Sequence, residues 1–81
     1  MKKGNYKIIE VLWEDATFVS GYYKKENVGE HNLEIMKTAG YLLEEDKKII
    51  KIALTQQDEG KIISDFIVIP KVNILKRRFL R

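Results

Sequence analysis

Hydrophobic residues in this chain alternate with polar ones over short stretches, a pattern typical of β-strands. In the first such element, Tyr6 to Trp13, Ile9, Val11 and Trp13 fall on one face. Ile8 and Leu12 fall on the second face, which we therefore expect to be partly covered by a partner subunit or by the following loop. The pattern predicts a strand whose main apolar face lies on the core.

The centre of the chain predicts a β-hairpin. Leu33 to Leu43 alternates as a strand, and Gly40 inside it indicates a bend or a bulge. Glu44 to Lys48 is polar and predicts the connection. Ile49 to Gln56 then resumes the alternation as a second strand.

A helix from Leu43 to Gln57 is the alternative for this second strand. Its residues include good helix formers, and Ile49, Ile50, Ala53 and Leu54 have helical spacing. Ile52 favours the strand, because a helix would place it on the charged side, whereas a strand places it with Ile50 and Leu54.

The only proline divides two apolar runs near the end of the chain. Phe66 to Ile69 predicts a strand buried on both faces, and Pro70 ends it because proline has no backbone N–H. β-formers resume at Val72, so we expect a strand, a tight one-turn connection and a further strand. The turn that leads into this unit is Gln57 to Gly60, where glycine permits a positive φ.

The elements assemble into an all-β prediction. Thr17 to Val19 reads as a short strand and Lys24 to Asn32 as a polar loop. Residues 1–81 are expected to form one domain, a five-stranded, strongly bent small β-barrel closed by pairing of the first and last strands. A basic C-terminal extension is predicted at about residues 76–81.

Charge is distributed unevenly along the chain. The net charge is +3, but residues 1–9 and 71–81 carry eight basic residues and no acidic one, whereas residues 10–70 carry seven basic and all twelve acidic residues. If the first and last strands pair, both basic ends lie side by side and attract an anionic partner. A solvated charged face is the other interpretation.

Catalysis is not supported by any group of residues. The chain has no cysteine, and His31 is its single histidine, without a cysteine or serine partner nearby in sequence. We therefore expect a protein that is not an enzyme and that holds no metal and no cofactor. An apolar segment suited to a signal peptide or a membrane span is also missing, so the expected location is the cytoplasm, without membrane contact.

The order of strand, Ile69-Pro70, short turn and strand is similar to the end of Src-homology 3 domains. That resemblance covers about ten residues and implies a protein-interaction adaptor with an aromatic groove for proline-rich peptides. The candidates for this groove are Trp13, Tyr22, Tyr23 and Pro70, although packing in the core is the competing interpretation for Trp13.

A second resemblance covers more of the chain. Val19-Ser20-Gly21, followed eleven positions later by Asn32-Leu33-Glu34-Ile35, resembles the first motif of Sm-like proteins. Ile69 to Ile74 looks like their second motif, with Pro70-Lys71 in place of Arg-Gly. The chain also resembles a group of short phage and bacterial proteins, mostly uncharacterised, through Trp13 to Ala16, Thr38 to Leu42 and Ile69 to Lys71.

The Sm-like resemblance implies a homo-oligomeric ring whose subunits join through their fourth and fifth strands. It also implies RNA binding near the pore by His31, Asn32, Lys71 and Asn73. Together with the basic C-terminal residues, this predicts a single-stranded nucleic-acid site of His31, Asn32, Lys71, Asn73, Lys76, Arg77 and Arg78. A phage structural or accessory role is a further alternative.

Overall fold

The computed structural model describes residues 6–16, 20–30 and 32–80. These residues form an all-β structure with little helix, as the alternation predicted. The predicted strand at Thr17 to Val19 lies outside the described residues. The strands are β1 (Ile8–Asp15), β2 (Glu34–Glu45), β3 (Ile49–Gln57), β4 (Ile62–Pro70) and β5 (Ile74–Phe79), and two short 3-10 helices are η1 (Lys25–Glu30) and η2 (Lys71–Asn73).

The five strands form one antiparallel sheet in the order β4-β3-β2-β1-β5. The first and last strands pair, as predicted, and the Leu80 N–H continues their ladder by donating to the Ile8 carbonyl at 2.7 Å. β4 and β5 are the two edges, and the described residues show no pairing between them. The sheet is therefore open, and the basic residues 76–78 lie within β5.

A single apolar cluster forms the core. Ile9, Val11 and Trp13 are buried on one face of β1, as their spacing predicted. They pack with Ile50, Ile52 and Ile69 of β3 and β4. Each such side chain contributes about 1.5–3 kcal/mol when it is fully buried. The Trp13 Nε1–H donates to the Thr38 hydroxyl at 3.0 Å, which satisfies the only polar atom of its ring.

Gly40 lies where β2 passes between its two neighbours. It stands opposite Ile9 of β1, while the next residue, Tyr41, stands opposite Ala53 of β3. A Cβ atom at Gly40 would lie 2.3 Å from the Ala53 carbonyl oxygen, so no side chain fits there. A bend or a bulge was predicted at Gly40, but the register between β2 and β3 shifts further along the strand, between Leu42 and Glu44.

The connection between β2 and β3 is a tight turn held by Asp46. Its Oδ1 accepts hydrogen bonds from the backbone N–H groups of Lys48 and Ile49, at 2.7 and 2.9 Å. These bonds, first that from Ile49 and then that from Lys48, lower the pKa of the Asp46 carboxyl. β3 follows directly, so the strand interpretation of this segment is confirmed and the helical alternative is wrong.

The hairpin of β3 and β4 contains several residues with left-handed backbone. Asp58, Glu59 and Gly60 have φ of 54°, 53° and 86° in the turn, so Gly60 adopts the positive φ that glycine was expected to permit there. Asp65 has φ of 54° within β4 itself. A non-glycine residue in this region is uncommon and carries a backbone cost. Regular strand geometry in β4 is therefore interrupted at Asp65.

The unit around Pro70 folds as predicted, because β4 ends at Pro70, one turn of 3-10 helix follows and β5 begins at Ile74. The prediction that both faces of Phe66 to Ile69 are buried is wrong. Phe66 is 56% exposed and Val68 46%, since β4 is an edge strand and no described residue covers its outer face. Leu54, predicted to share a face with Ile50 and Ile52, is 61% exposed.

The open sheet leaves the molecule extended. Its radius of gyration is 16.3 Å, whereas a compact domain of this length has a radius of about 12 Å. Its accessible surface is 6692 Å², whereas a folded monomer of this mass exposes roughly 5,000 Å². The chain by itself therefore buries less surface than a compact monomer does.

Replacing Gly40 with alanine tests the close approach of β2 and β3. We expect Gly40→Ala to lower the free energy of unfolding by about 2–3 kcal/mol, because the new methyl group forces the strands apart or strains the core. Chemical denaturation measures this difference. Gly29→Ala is the matched control, since a Cβ there meets nothing within 4 Å. Equal stability of both variants would contradict the close approach.

Candidate nucleic-acid interface

The basic residues of β5 are divided between the two faces of the sheet. Residues directly opposite each other in an antiparallel pair share a face. Arg77 stands opposite Val11, which is buried in the core, so its side chain projects from the core face. Lys76 and Arg78 stand opposite Leu12 and Glu10 on the outer face. The sequence cluster is therefore not one patch.

The outer face of β1, β2 and β5 forms a shallow groove of about 310 Å³, here named the basic groove. Leu12 is half-buried in the central strand. Lys37 of β2 stands opposite it on one side and Lys76 of β5 on the other, so two lysines flank one apolar side chain. The residues that line the groove are Glu10, Leu12, Lys37, Lys76 and Arg78, together with Arg77, although the side chain of Arg77 projects from the core face.

Ion pairing leaves the basic groove positive. The Arg78 Nε–H donates to the Glu10 carboxylate at 3.0 Å, which orients the guanidinium but neutralises part of its charge. Among the described residues no carboxylate lies within ion-pair distance of Lys37 or Lys76. Two unpaired ammonium groups on either side of an apolar floor attract anions, and this attraction weakens as salt is added.

On the core face, Arg77 belongs to a different cluster, here named the Glu45 clasp, which consists of Glu45, Lys71 and Arg77. The Arg77 guanidinium donates two parallel hydrogen bonds to the Glu45 carboxylate, at 2.9 and 3.1 Å. The Lys71 ammonium lies 2.6 Å from the same carboxylate. The clasp therefore joins the end of β2 to η2 and to β5.

The clasp perturbs the pKa of its members. Hydrogen bonds from Arg77 and then from Lys71 lower the pKa of Glu45 to about 2. The same bond to Glu45 raises the pKa of Arg77. The Arg77 guanidinium also lies 5.7 Å from the centre of the Phe79 ring, and the Lys7 ammonium lies 5.2 Å from it. Both distances are within the range of cation–π attraction.

The residues predicted to bind nucleic acid are not brought together. Lys76 and Arg78 line the basic groove, whereas Lys71 and Arg77 are engaged by Glu45. Asn73 is half-buried in η2 and Asn32 is exposed beyond η1. His31 lies outside the described residues. Of the predicted residues, Lys76 and Arg78 therefore lie together where an anion can reach them, in the basic groove.

Sequence reasoning missed Lys37 and Leu12 as members of this surface. Lys37 is the residue that interrupts the apolar set of its strand, which was the available signal. Its position beside Leu12 depends on the register between β1 and β2, which are separated by an 18-residue connection. Periodicity within one strand does not give this register.

The residues of the alternative aromatic groove have different environments. Trp13 is buried in the core, so the packing interpretation holds for its ring. Tyr22 and Tyr23 are exposed in the connection between β1 and β2, and Pro70 is exposed at the end of β4. The tryptophan therefore does not line a surface groove.

Among the described residues there is no group of His, Asp and Glu side chains that could hold a metal ion. The same residues contain no helix that is long and apolar enough to cross a membrane. Comparison with protein-family models, with curated proteins and with solved structures finds no match to this chain.

The clasp predicts a specific dependence of stability on pH. Because the folded pKa of Glu45 is lowered, its contribution is complete above the unfolded pKa near 4.5 and is lost as the pH falls toward 2. We expect Glu45→Gln to remove about 1 kcal/mol at pH 7, a value reduced for solvent screening because a third of the side chain is exposed.

The measurement is the free energy of unfolding between pH 7 and pH 2. Glu45→Gln should flatten the acid-side decrease relative to the unmodified protein. Glu44→Gln is the matched control, since Glu44 is two-thirds exposed and pairs with Lys51 alone among the residues that the structure describes. A decrease of the same steepness in Glu45→Gln would show that the clasp does not couple stability to pH.

Proposed function

We propose that this protein is a non-catalytic Sm-like barrel module that joins edge to edge into a homo-oligomeric ring and binds single-stranded nucleic acid. The observation that carries the proposal is the state of the two sheet edges. No strand of the described residues pairs with the outer edge of β4 or of β5, and both strands expose large apolar side chains. Uncovered apolar edges are an aggregation liability unless a partner covers them.

The direction of the backbone groups on β4 supports this association. In an antiparallel ladder, residues alternate between those bonded to the neighbouring strand and those facing away from it. The Lys71 N–H donates to the Lys48 carbonyl at 2.8 Å, so residues 69 and 67 also face β3. Phe66 and Val68 consequently direct their N–H and C=O groups outward.

The same reasoning applies to β5. The Leu80 N–H donates to the Ile8 carbonyl, so residues 78 and 76 face β1, and Arg77 and Phe79 face outward. Each edge therefore offers two outward residues with complete backbone donors and acceptors. An antiparallel contact between β4 of one copy and β5 of the next would pair these outward backbone groups. Repetition of the same contact from copy to copy would close the subunits into a ring.

The basic groove supports the nucleic-acid part of the proposal. Phosphate contacts by Lys and Arg supply affinity without sequence preference. Lys37 and Lys76 are unpaired among the described residues, and Arg78 retains donors beyond its bond to Glu10. No aromatic ring of the described part of the chain lines the groove, so binding would rest on the phosphate backbone rather than on base stacking.

A protein-interaction adaptor of the Src-homology 3 type, or a phage structural or accessory role, is the second candidate. One observation, the full exposure of the Tyr22 ring, favours the adaptor. An exposed tyrosine beside the exposed Tyr23 is typical of binding surfaces. If Tyr22→Ala abolishes capture of a proline-rich peptide, the adaptor function replaces the first proposal.

Self-association is tested by measuring the mass of the protein in solution. We expect a closed assembly of about five to seven subunits at micromolar concentration, and Phe66→Lys with Val68→Lys should reduce it to monomers by placing like charges at the contact. Tyr22→Lys with Val28→Lys is the matched control, since both residues are exposed away from the two edge strands. A monomer at all micromolar concentrations contradicts the ring.

Nucleic-acid binding is tested with a 20-nucleotide single strand of RNA or DNA at several salt concentrations. The slope of log K against log salt is negative, and loss of two phosphate contacts makes it shallower by about 1.4 for single strands. We expect this reduction in Lys37→Gln with Lys76→Gln. The control with the same net charge is Lys24→Gln with Lys25→Gln. Absence of binding by the unmodified protein at about 50 mM salt contradicts the proposal.

A further inference from the structure

β2 pairs with β1 and with β3 along different parts of its length. Its pairing with β1 runs from Glu34 to Tyr41. Within the described part of the chain, its pairing with β3 runs only from Tyr41 to Glu45. On the side that faces β3, the first half of β2 therefore has no paired strand among the described residues. This side of β2, here named the inner edge, is separate from the outer edges on β4 and β5.

The register shows which backbone groups this inner edge presents. The Leu42 N–H donates to the Lys7 carbonyl at 2.8 Å, which continues the ladder between β1 and β2. Residues 40, 38 and 36 consequently face β1, because hydrogen-bonding direction alternates along a strand. Ala39, Lys37 and Ile35 direct their N–H and C=O groups to the opposite side, where β3 no longer pairs.

A cleft of about 510 Å³ lies beside this inner edge. One wall is β2 at Lys37 to Ala39, and the other is formed by β3 and β4. Leu54 and Phe66 are more than half exposed beside it, so the second wall is largely apolar. The cleft begins where the Tyr41–Ala53 pair ends, and its lining residues are Lys37, Thr38, Ala39, Leu54, Asp65, Phe66 and Ile67.

We propose that this cleft binds an extended apolar peptide, which pairs with the inner edge of β2 as an added strand. Main-chain hydrogen bonds to Ala39 and Lys37 would supply affinity, and contact with Leu54 and Phe66 would select apolar side chains. This mode of recognition adds a strand to an unpaired edge and needs little sequence specificity beyond alternation. It uses a different strand edge from the proposed ring, although Phe66 also belongs to the proposed β4 contact and Lys37 also lines the basic groove.

The occupant is a single peptide strand because of the walls of the cleft. An added strand would have β2 on one side and the wall formed by β3 and β4 on the other, so a single strand fits better than an edge strand that carries its own neighbour about 4.8 Å away. An anion is disfavoured, since the lining holds one acidic residue, Asp65, against one basic residue, Lys37. A neutral strand with one charge of each sign at its ends fits this arrangement.

The test uses a synthetic nonapeptide, Glu-Thr-Val-Thr-Ile-Thr-Val-Thr-Lys, acetylated and amidated at its ends. We expect binding with a Kd of about 1 mM or tighter, with amide hydrogen exchange at Ala39 and Lys37 slowed at least tenfold at saturation. Leu54→Lys should weaken binding at least tenfold without loss of fold, because Leu54 is exposed. Val28→Lys, a similarly exposed residue outside the cleft, is the matched control.

A second probe leaves the protein unchanged. The same peptide with N-methyl groups on all its internal amides loses its backbone donors on both edges, and we expect it to bind at least tenfold more weakly. Equal binding of both peptides, protection confined to β4 or β5, or absence of binding at millimolar peptide would each overturn the proposal. Protection of Ala39 that rises with protein concentration alone would identify a second copy as the occupant and would overturn it as well.

Discussion

The structure depends on one steric constraint, the contact between the Gly40 backbone and the Ala53 carbonyl group. β2 belongs to two halves of the sheet, one with β1 and β5 and the other with β3 and β4. The two halves can share a strand only where the backbones approach without a side chain between them. Apolar residues of β1, β3 and β4 then meet in one small cluster, because the shared strand holds them at a fixed distance.

Much of the fold follows from the pattern of residues within each strand. Alternation identified the core face of β1, and the position of Ile52 distinguished a strand from a helix in β3. Pro70 marked the end of β4 because its missing N–H ends a ladder. The prediction for Phe66 to Ile69 was wrong for a different reason. A run of apolar residues does not show whether its strand lies at the centre or at the edge of a sheet. That position depends on the order of all the strands, which no single segment reveals.

The candidate site was less accessible to sequence reasoning. Three consecutive basic residues in β5 look like one cluster, but a period of two sends Arg77 to one face and its neighbours to the other. Glu45 then neutralises Arg77 from 32 positions away. Lys37 joins the opposite face from β2. Such pairings depend on long-range register, so local charge did not indicate which cations remain available.

Asp65 gives the outer edge of β4 a limited length. Its left-handed backbone interrupts the strand on one side, and Pro70, which lacks an N–H, interrupts it five residues later. A docking strand therefore finds two outward donors, those of Phe66 and Val68, and a contact of four hydrogen bonds contributes only about 4 kcal/mol. So short a ladder holds a single docked strand weakly, and such a contact would form and break reversibly. Contacts of this strength become stable only where several of them act together in one assembly.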